Sequence, residues 1–161
     1  MCENGDVRAM FRGIHTINMD AKGRIAMPTK YREPLVASDA SQLIVTIDIQ
    51  NPCLLLYPLS VWEQVEQTLQ GLPMLNAAAR RLQRLMLGHA SEVDMDGSGR
   101  VLLPQVLREY ANLSKKTVLV GQMTKFELWD EHGWQHETTQ AIHDISSGEL
   151  TIPHDIQALV L

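Results

Sequence analysis

The apolar positions fall into short runs, each closed by a turn signal. Ile14 to Met19 alternates loosely and predicts a strand. The stretch Met19-Asp20-Ala21-Lys22-Gly23-Arg24-Ile25-Ala26-Met27-Pro28 then predicts a tight turn between two strands. Asp initiates turns because its carboxylate accepts from backbone N–H groups two residues on. Gly23 supplies the positive φ that a turn with a bulge requires. Proline suits the first turn of a helix, where its missing N–H is no loss. Thr29 to Glu33 is therefore predicted as a short helix. Pro34 should end it, because the residue before a proline avoids helical geometry.

Leu43-Ile44-Val45-Thr46-Ile47 is β-branched and apolar, the pattern of a buried strand. Asn51-Pro52 marks a turn, and Cys53 to Tyr57 reads as a strand stopped by Pro58. Ser60 is placed to cap a helix carrying Val61, Trp62, Val65 and Leu69, which Gly71 and Pro73 break. Met74 to Leu87 has no internal Gly or Pro. Leu75, Ala78, Ala79, Leu82, Leu85 and Met86 recur on one face at helical spacing.

After Gly88 the pattern starts again. Met95-Asp96-Gly97-Ser98-Gly99-Arg100-Val101-Leu102-Leu103-Pro104 repeats the first turn, with Met, Asp, Gly, Arg and Pro in order. Arg108 stands to the second copy as Arg32 stands to the first. Glu92 to Asp96, Arg100 to Leu103 and Pro104 to Tyr110 predict strand, strand and short helix. Thr117 to Val120 matches the strand at Leu43, Phe126 to Trp129 matches Leu54 to Tyr57, and Trp134 matches Trp62. Self-similarity at a near-constant offset marks a duplicated structural unit. The repeat predicts related domains over residues 12–64 and 88–136, joined by a connecting helix at 65–87. Residues 1–9 would be an N-terminal extension, from a tag or an upstream start. Residues 137–161 would be a helical tail, broken at Ser146-Ser147-Gly148 and Pro153.

Each copy offers four short strands and a fragment of helix, too little apolar surface to be stable alone. The two should pair into one interleaved β-barrel or pseudo-dimer. The fold class expected is α+β, mainly β.

Composition narrows the function. The chain has 161 residues, 45% of them hydrophobic and 20% charged, and two cysteines, Cys2 and Cys53. Two distant cysteines suggest neither a metal pair nor a disulfide framework, which favours a reducing, cytoplasmic compartment. No run approaches a membrane span, and residues 1–9 lack the apolar core of a signal peptide. The net charge of −5 argues against a generic nucleic-acid binder, but its distribution does not. Arg8, Arg12, Lys22, Arg24, Lys30 and Arg32 face a single acid, Asp20, within residues 8–32. Residues 115–161 carry an acidic excess. A chain built this way can bind a polyanion through one face.

Other candidates are weaker. Arg80, Arg81 and Arg84 cluster on the Met74 helix, as a solvated face or as a second phosphate-contacting surface. His132 and His136 have metal-ligand spacing, but no third ligand is evident and Gly133 lies between them, so no metal is expected. Met27, Met74, Met86 and Met95 read as core filler. No phosphate loop or nucleophile motif is present, so no enzyme and no cofactor are expected.

The turns sit in longer motifs: Met10-Phe11-Arg12-Gly13, Asp20-Ala21-Lys22-Gly23-Arg24, Pro28-Thr29-Lys30-Tyr31-Arg32, Cys53-Leu54-Leu55-Leu56-Tyr57-Pro58, Gly88-His89-Ala90, Asp96-Gly97-Ser98-Gly99-Arg100 and Lys125-Phe126-Glu127-Leu128-Trp129-Asp130. From Met10 almost to its end the chain resembles the MraZ family of bacterial transcriptional regulators; residues 1–9 depart from the family pattern. The resemblance implies two tandem SpoVT/AbrB-type domains, built as swapped-hairpin β-barrels. It implies a ring-shaped, octamer-like homo-oligomer that binds direct repeats in double-stranded DNA and represses its own division and cell-wall operon. Such a protein would work in the cytoplasm, associated with the nucleoid. The family's Asp-x-x-x-Arg motif falls on Asp20/Arg24 and Asp96/Arg100.

The residues discriminate between the copies. The first turn carries Lys22 and Arg24 against Asp20. The second carries Arg100 against Glu92, Asp94 and Asp96. Copy one is therefore expected to bind DNA, and copy two to be structural or subunit-facing. Arg24 would grip guanine or phosphate as a fork. Lys22 and Arg12 would hold phosphates, joined by Lys30 or Arg32 if they face the same way. Asp20, Gly23, Asp96, Gly99 and Arg100 would shape the turns. The competing reading of Arg24 is a structural Arg–Asp bridge. The competing reading of the whole protein is an oligomeric interaction scaffold without sequence-specific DNA binding.

Overall fold

A computed structural model describes residues 10–37 and 42–160, so the predicted extension Met1 to Ala9 lies outside the described residues. The first repeat supplies β1 (Phe11–Asn18), β2 (Arg24–Ala26), α1 (Thr29–Ala37), β3 (Gln42–Ile47), β4 (Leu54–Pro58) and α2 (Leu59–Gln70). After α3 (Ala77–Gly88), the second supplies β5 (Ser91–Asp94), β6 (Arg100–Leu102), α4 (Gln105–Tyr110), β7 (Lys116–Met123), β8 (Lys125–Asp130) and α5 (Glu131–Ser147); α6 (His154–Val160) follows. The fold is α+β with antiparallel strand pairing. The chain divides into two compact units at Glu131 and His132. The second holds most of α5, then Gly148 at φ +82°, then α6.

The repeats are not separate sheets. Six strands run in the order β1-β7-β8-β4-β3-β5, and β2 pairs with β6 in a second sheet. Replacing each strand by its counterpart in the other repeat reverses this order, so the sheet has an internal pseudo-two-fold. In the β4–β8 ladder it passes through Leu55 opposite Glu127. In the β2–β6 ladder it passes through Ile25 opposite Val101. Each repeat completes the other's sheet, because neither has enough strands to close a core alone.

Both faces of the central strands β3 and β4 are covered. Leu43, Val45, Leu54, Leu56, Leu119, Phe126 and Leu128 pack with Ile25 and Val101 of the small sheet and with Leu35 and Leu107 of the short helices. Ile44, Leu55 and Tyr57 pack on Trp62 of α2, with Met86 of α3 against them. Two covered faces explain why β3 and β4 are continuously apolar rather than alternating. Thr46 is buried on the second face and donates its hydroxyl to the Met86 carbonyl at 2.7 Å.

Several helix bounds differ from the sequence expectation: the single connecting helix expected at 65–87 is two helices, α2 and α3, parted at residues 71–76, and the helix expected from 137 starts at Glu131. α1 runs on through Pro34. The proline removes one helical hydrogen bond, but Tyr31 and Leu35 sit in the core one turn apart and hold the helix across it. α2 starts at Leu59 with Pro58 at its N-cap, so Ser60 lies inside the helix and makes no cap. α3 starts at Ala77 rather than near Met74, because the Asn76 side chain caps it by accepting from the Ala79 N–H at 3.0 Å. Leu75 therefore precedes the helix and is fully exposed, not part of its apolar face.

Candidate nucleic-acid interface

Both Asp-x-x-x-Arg stretches fold into the same turn. Asp20 Oδ1 accepts from the backbone N–H groups of Lys22 and Arg24, each at 2.9 Å. Its Oδ2 accepts from Arg24 Nε at 2.7 Å. In the second turn Asp96 Oδ1 accepts from the N–H groups of Ser98 at 2.8 Å and Arg100 at 2.9 Å, and Oδ2 accepts from Arg100 Nε at 3.2 Å. Gly23 and Gly99 have φ of +89° and +74°, the left-handed geometry that needs glycine at this place in the turn.

Each aspartate thus holds its arginine by Nε and leaves the two Nη groups of the fork for another acceptor. The bridges are solvent-accessible, with Arg24 and Asp20 30% and 36% exposed, so as ion pairs they add little stability. Their effect is to fix direction. The Arg24 backbone N–H and then its guanidinium hold the Asp20 carboxyl at about 2. The Asp96 carboxyl is also lowered, chiefly by the Arg100 N–H. A carboxyl with a depressed folded pKa contributes above its unfolded value and loses that contribution as pH falls through the folded one. The first turn should keep its shape from neutral pH down to about pH 4 and loosen towards about pH 2. Amide shifts of Lys22 and Arg24 followed through an acid titration by NMR would show this; a transition between pH 5 and 7 would contradict it.

The β2–β6 register brings the two arginines onto one surface. Arg24 pairs with Leu102 and Ala26 with Arg100, while Ile25 and Val101 pair at the centre and are buried. Side chains directly opposite in an antiparallel ladder share a face. Arg24, Ala26, Arg100 and Leu102 therefore all point away from the core. In the sequence the second turn is a separate feature; in the fold it contributes its cation to the same face.

Interleaving also redistributes the neighbouring charges. Asn18, at the end of β1, pairs with Lys116, and the Met19 N–H donates to the Lys115 carbonyl at 2.7 Å. Two lysines from the acidic half of the chain thus flank the first turn. Glu92 and Asp94, counted against the second turn in sequence, line a groove with Lys22 and Arg108. Arg32 is not at the first turn. Its Nε donates to the Met27 carbonyl at 2.7 Å, and its guanidinium lies against Gly99 of the second turn. Arg108 holds the corresponding place at Gly23. Arg12 and Lys30 form a separate cationic group at the start of β1: Lys30 Nζ donates to the Arg12 carbonyl at 3.4 Å, and both line a shallow pocket with Tyr31. Beside them, burial and then the Lys30 charge lower the pKa of His15.

Of the predicted cations, the first turn holds Lys22 and Arg24; Arg12, Lys30 and Arg32 lie elsewhere. Arg108, Lys115 and Lys116 lie near the first turn in the fold, a placement the sequence did not show. The matched register of Arg32 and Arg108 was visible, but which turn each one serves depends on strand pairing. Among the described residues, the groups of metal-ligand type that come together are Asp48, Cys53 and Glu127, and separately His143, Asp144 and Glu149; His132 and His136 join neither. No helix among the described residues is long and apolar enough to cross a membrane.

The family model described as "MraZ protein, putative antitoxin-like" matches this chain twice, over residues 10–85 and 86–151. The chain belongs to the MraZ family. Proteins named "Transcriptional regulator MraZ" from Salmonella paratyphi B and Salmonella newport are 51% identical to it over 152 residues, covering 94% of this chain and 100% of each relative. A protein of the same name from Salmonella heidelberg matches equally well. The first turn lies in the first MraZ match and the second turn in the second, and the β2–β6 ladder joins them.

Proposed function

We propose that this protein is a sequence-specific DNA-binding transcriptional regulator that binds tandem direct repeats upstream of its own division and cell-wall operon and represses it. The observation that carries the reading is the common solvent face of β2–β6, which carries two aspartate-held guanidinium forks, one at each end of the ladder. Lys22, Lys115 and Lys116 bring cations to the Arg24 end, partly offset by Glu92 and Asp94 in the groove beside Lys22, and that end leads in contacting DNA. Relatives at 51% identity carry a regulator's name, which supports the same reading. In the cell the protein would act in the cytoplasm, on the nucleoid.

One such face is a weak binder, since each phosphate contact is eroded by salt. A ring-shaped homo-oligomer, octamer-like as the family resemblance implies, would present many copies. Tandem sites would then engage several at once and raise avidity through effective concentration. Fluorescence anisotropy with duplexes carrying the complete repeat array, a single repeat or a scrambled array tests this. The full array should bind at least about tenfold more tightly than the single repeat, as avidity predicts. Equal binding to the scrambled array would remove sequence-specific regulation and bring forward the interaction scaffold, for which Leu102 and Val106 are exposed apolar residues.

A further inference from the structure

The first turn is held by the second repeat. The Leu103 N–H donates to the Gly23 carbonyl at 3.0 Å. The Leu103 carbonyl in turn accepts from Arg108 Nε at 3.0 Å. The Arg108 guanidinium then folds back over Gly23, so closely that a Cβ there would stand 2.6 Å from Cζ. The positive φ at 23 calls for glycine, and a Cβ there would also push the Arg108 guanidinium aside. The second turn has the reciprocal arrangement. The Met27 N–H donates to the Gly99 carbonyl at 2.8 Å, Arg32 Nε donates to the Met27 carbonyl at 2.7 Å, and the Arg32 guanidinium covers Gly99.

We propose that Arg108 is the positioning residue of the first turn, holding Lys22 and Arg24 in their DNA-facing arrangement from the opposite repeat, and that Arg32 does the same for the second turn. Two features make the assignment specific. A planar guanidinium can donate from Nε to a carbonyl and still lie flat against a glycine Cα, which an ammonium cannot do. The contact also crosses between repeats, so the arginine nearer in sequence to each turn is the wrong one. For its effect on DNA this inference rests on the function proposed above; for the brace itself it does not.

The test uses the full chain with Arg108→Ala, Arg108→Lys and Arg32→Ala. In free protein, Arg108→Ala should shift and speed the exchange of the Lys22, Gly23 and Arg24 amides, leaving Ser98, Gly99 and Arg100 near their wild-type behaviour. Arg32→Ala should do the reverse. If each arginine instead perturbs the turn of its own repeat, the proposal fails. On repeat DNA, Arg108→Ala should weaken specific binding by about tenfold, the order of losing one base-reading side chain. Binding to scrambled DNA and the salt dependence should change little. Arg108→Lys keeps the charge but not the fork, so it should behave like alanine. Full rescue by lysine would make Arg108 a charge contact and overturn the positioning role. If the wild type itself ignores the repeat DNA, the proposed function falls, and the amide readout still decides the brace.

Discussion

Arg24→Ala should weaken binding to the repeat DNA by about ten- to a hundredfold, with Arg100→Ala costing clearly less. The first figure follows from the ~1–3 kcal/mol of discrimination carried by one well-placed bidentate fork. Arg24 is set up to make such a contact because Asp20 restrains it at Nε, so little side-chain freedom remains to be lost on binding. Arg100 has the same restraint from Asp96, at a longer 3.2 Å. The difference lies in the surroundings. Lys22 at the tip of the first turn is replaced by Ser98 in the second. Lys116 opposes Asn18 on the first side, whereas Gln42 opposes Asp94 on the other. Anisotropy titrations at two salt concentrations separate the roles. Lys22→Ala should reduce the salt dependence by about one phosphate contact while leaving sequence preference nearly intact. If Arg100→Ala proves as costly as Arg24→Ala, the face works as a symmetric unit and the asymmetry inferred from charge is wrong.

The largest effect on stability should come from Phe126→Ala, with a cost of about 3–5 kcal/mol. Phe126 is fully buried on β8, its ring 4.3 Å from that of Phe11 on β1 and 5.0 Å from that of Tyr31 on α1. Phe11 and Tyr31 belong to the first repeat and Phe126 to the second, so this aromatic group ties the repeats together. Truncation leaves a cavity lined by two rings that cannot collapse into it without moving β1. Against a typical stability of about 5–15 kcal/mol, this is enough to depopulate the native state measurably. Urea unfolding followed by circular dichroism should show a large drop in the midpoint. Leu102→Ala, at a residue 54% exposed, should stay within about 0.5 kcal/mol of wild type. A Phe126→Ala midpoint near wild type would mean that the two repeats hold together without this contact.

Arg24 and Phe126 mark the two kinds of information in the chain. The turns are local: an aspartate, a glycine three residues on and an arginine after it are enough to set the carboxylate bonds and the φ. The strands at Leu43 and Leu54 are also local, written in continuous apolar runs. Helix ends were less legible. Pro34 and Ser60 carry strong local signals that packing overrides, since a buried Leu35 outweighs one lost helical bond and Pro58 already occupies the cap position.

By itself, the sequence determined that there are two related units, that each has a braced turn presenting an arginine, and that neither could bury its core alone. These follow from spacing, turn chemistry and apolar area, which are short-range or additive. Only the tertiary structure decided which residues meet. It placed Arg24 and Arg100 on one face, exchanged Arg108 and Arg32 between the turns, moved Glu92 and Asp94 beside Lys22, and took Arg12 and Lys30 away from the first turn. The physical reason is the interleaving. When strands from two copies alternate in one sheet, neighbours in space come from opposite repeats, and charge counted along the chain no longer measures charge at a surface.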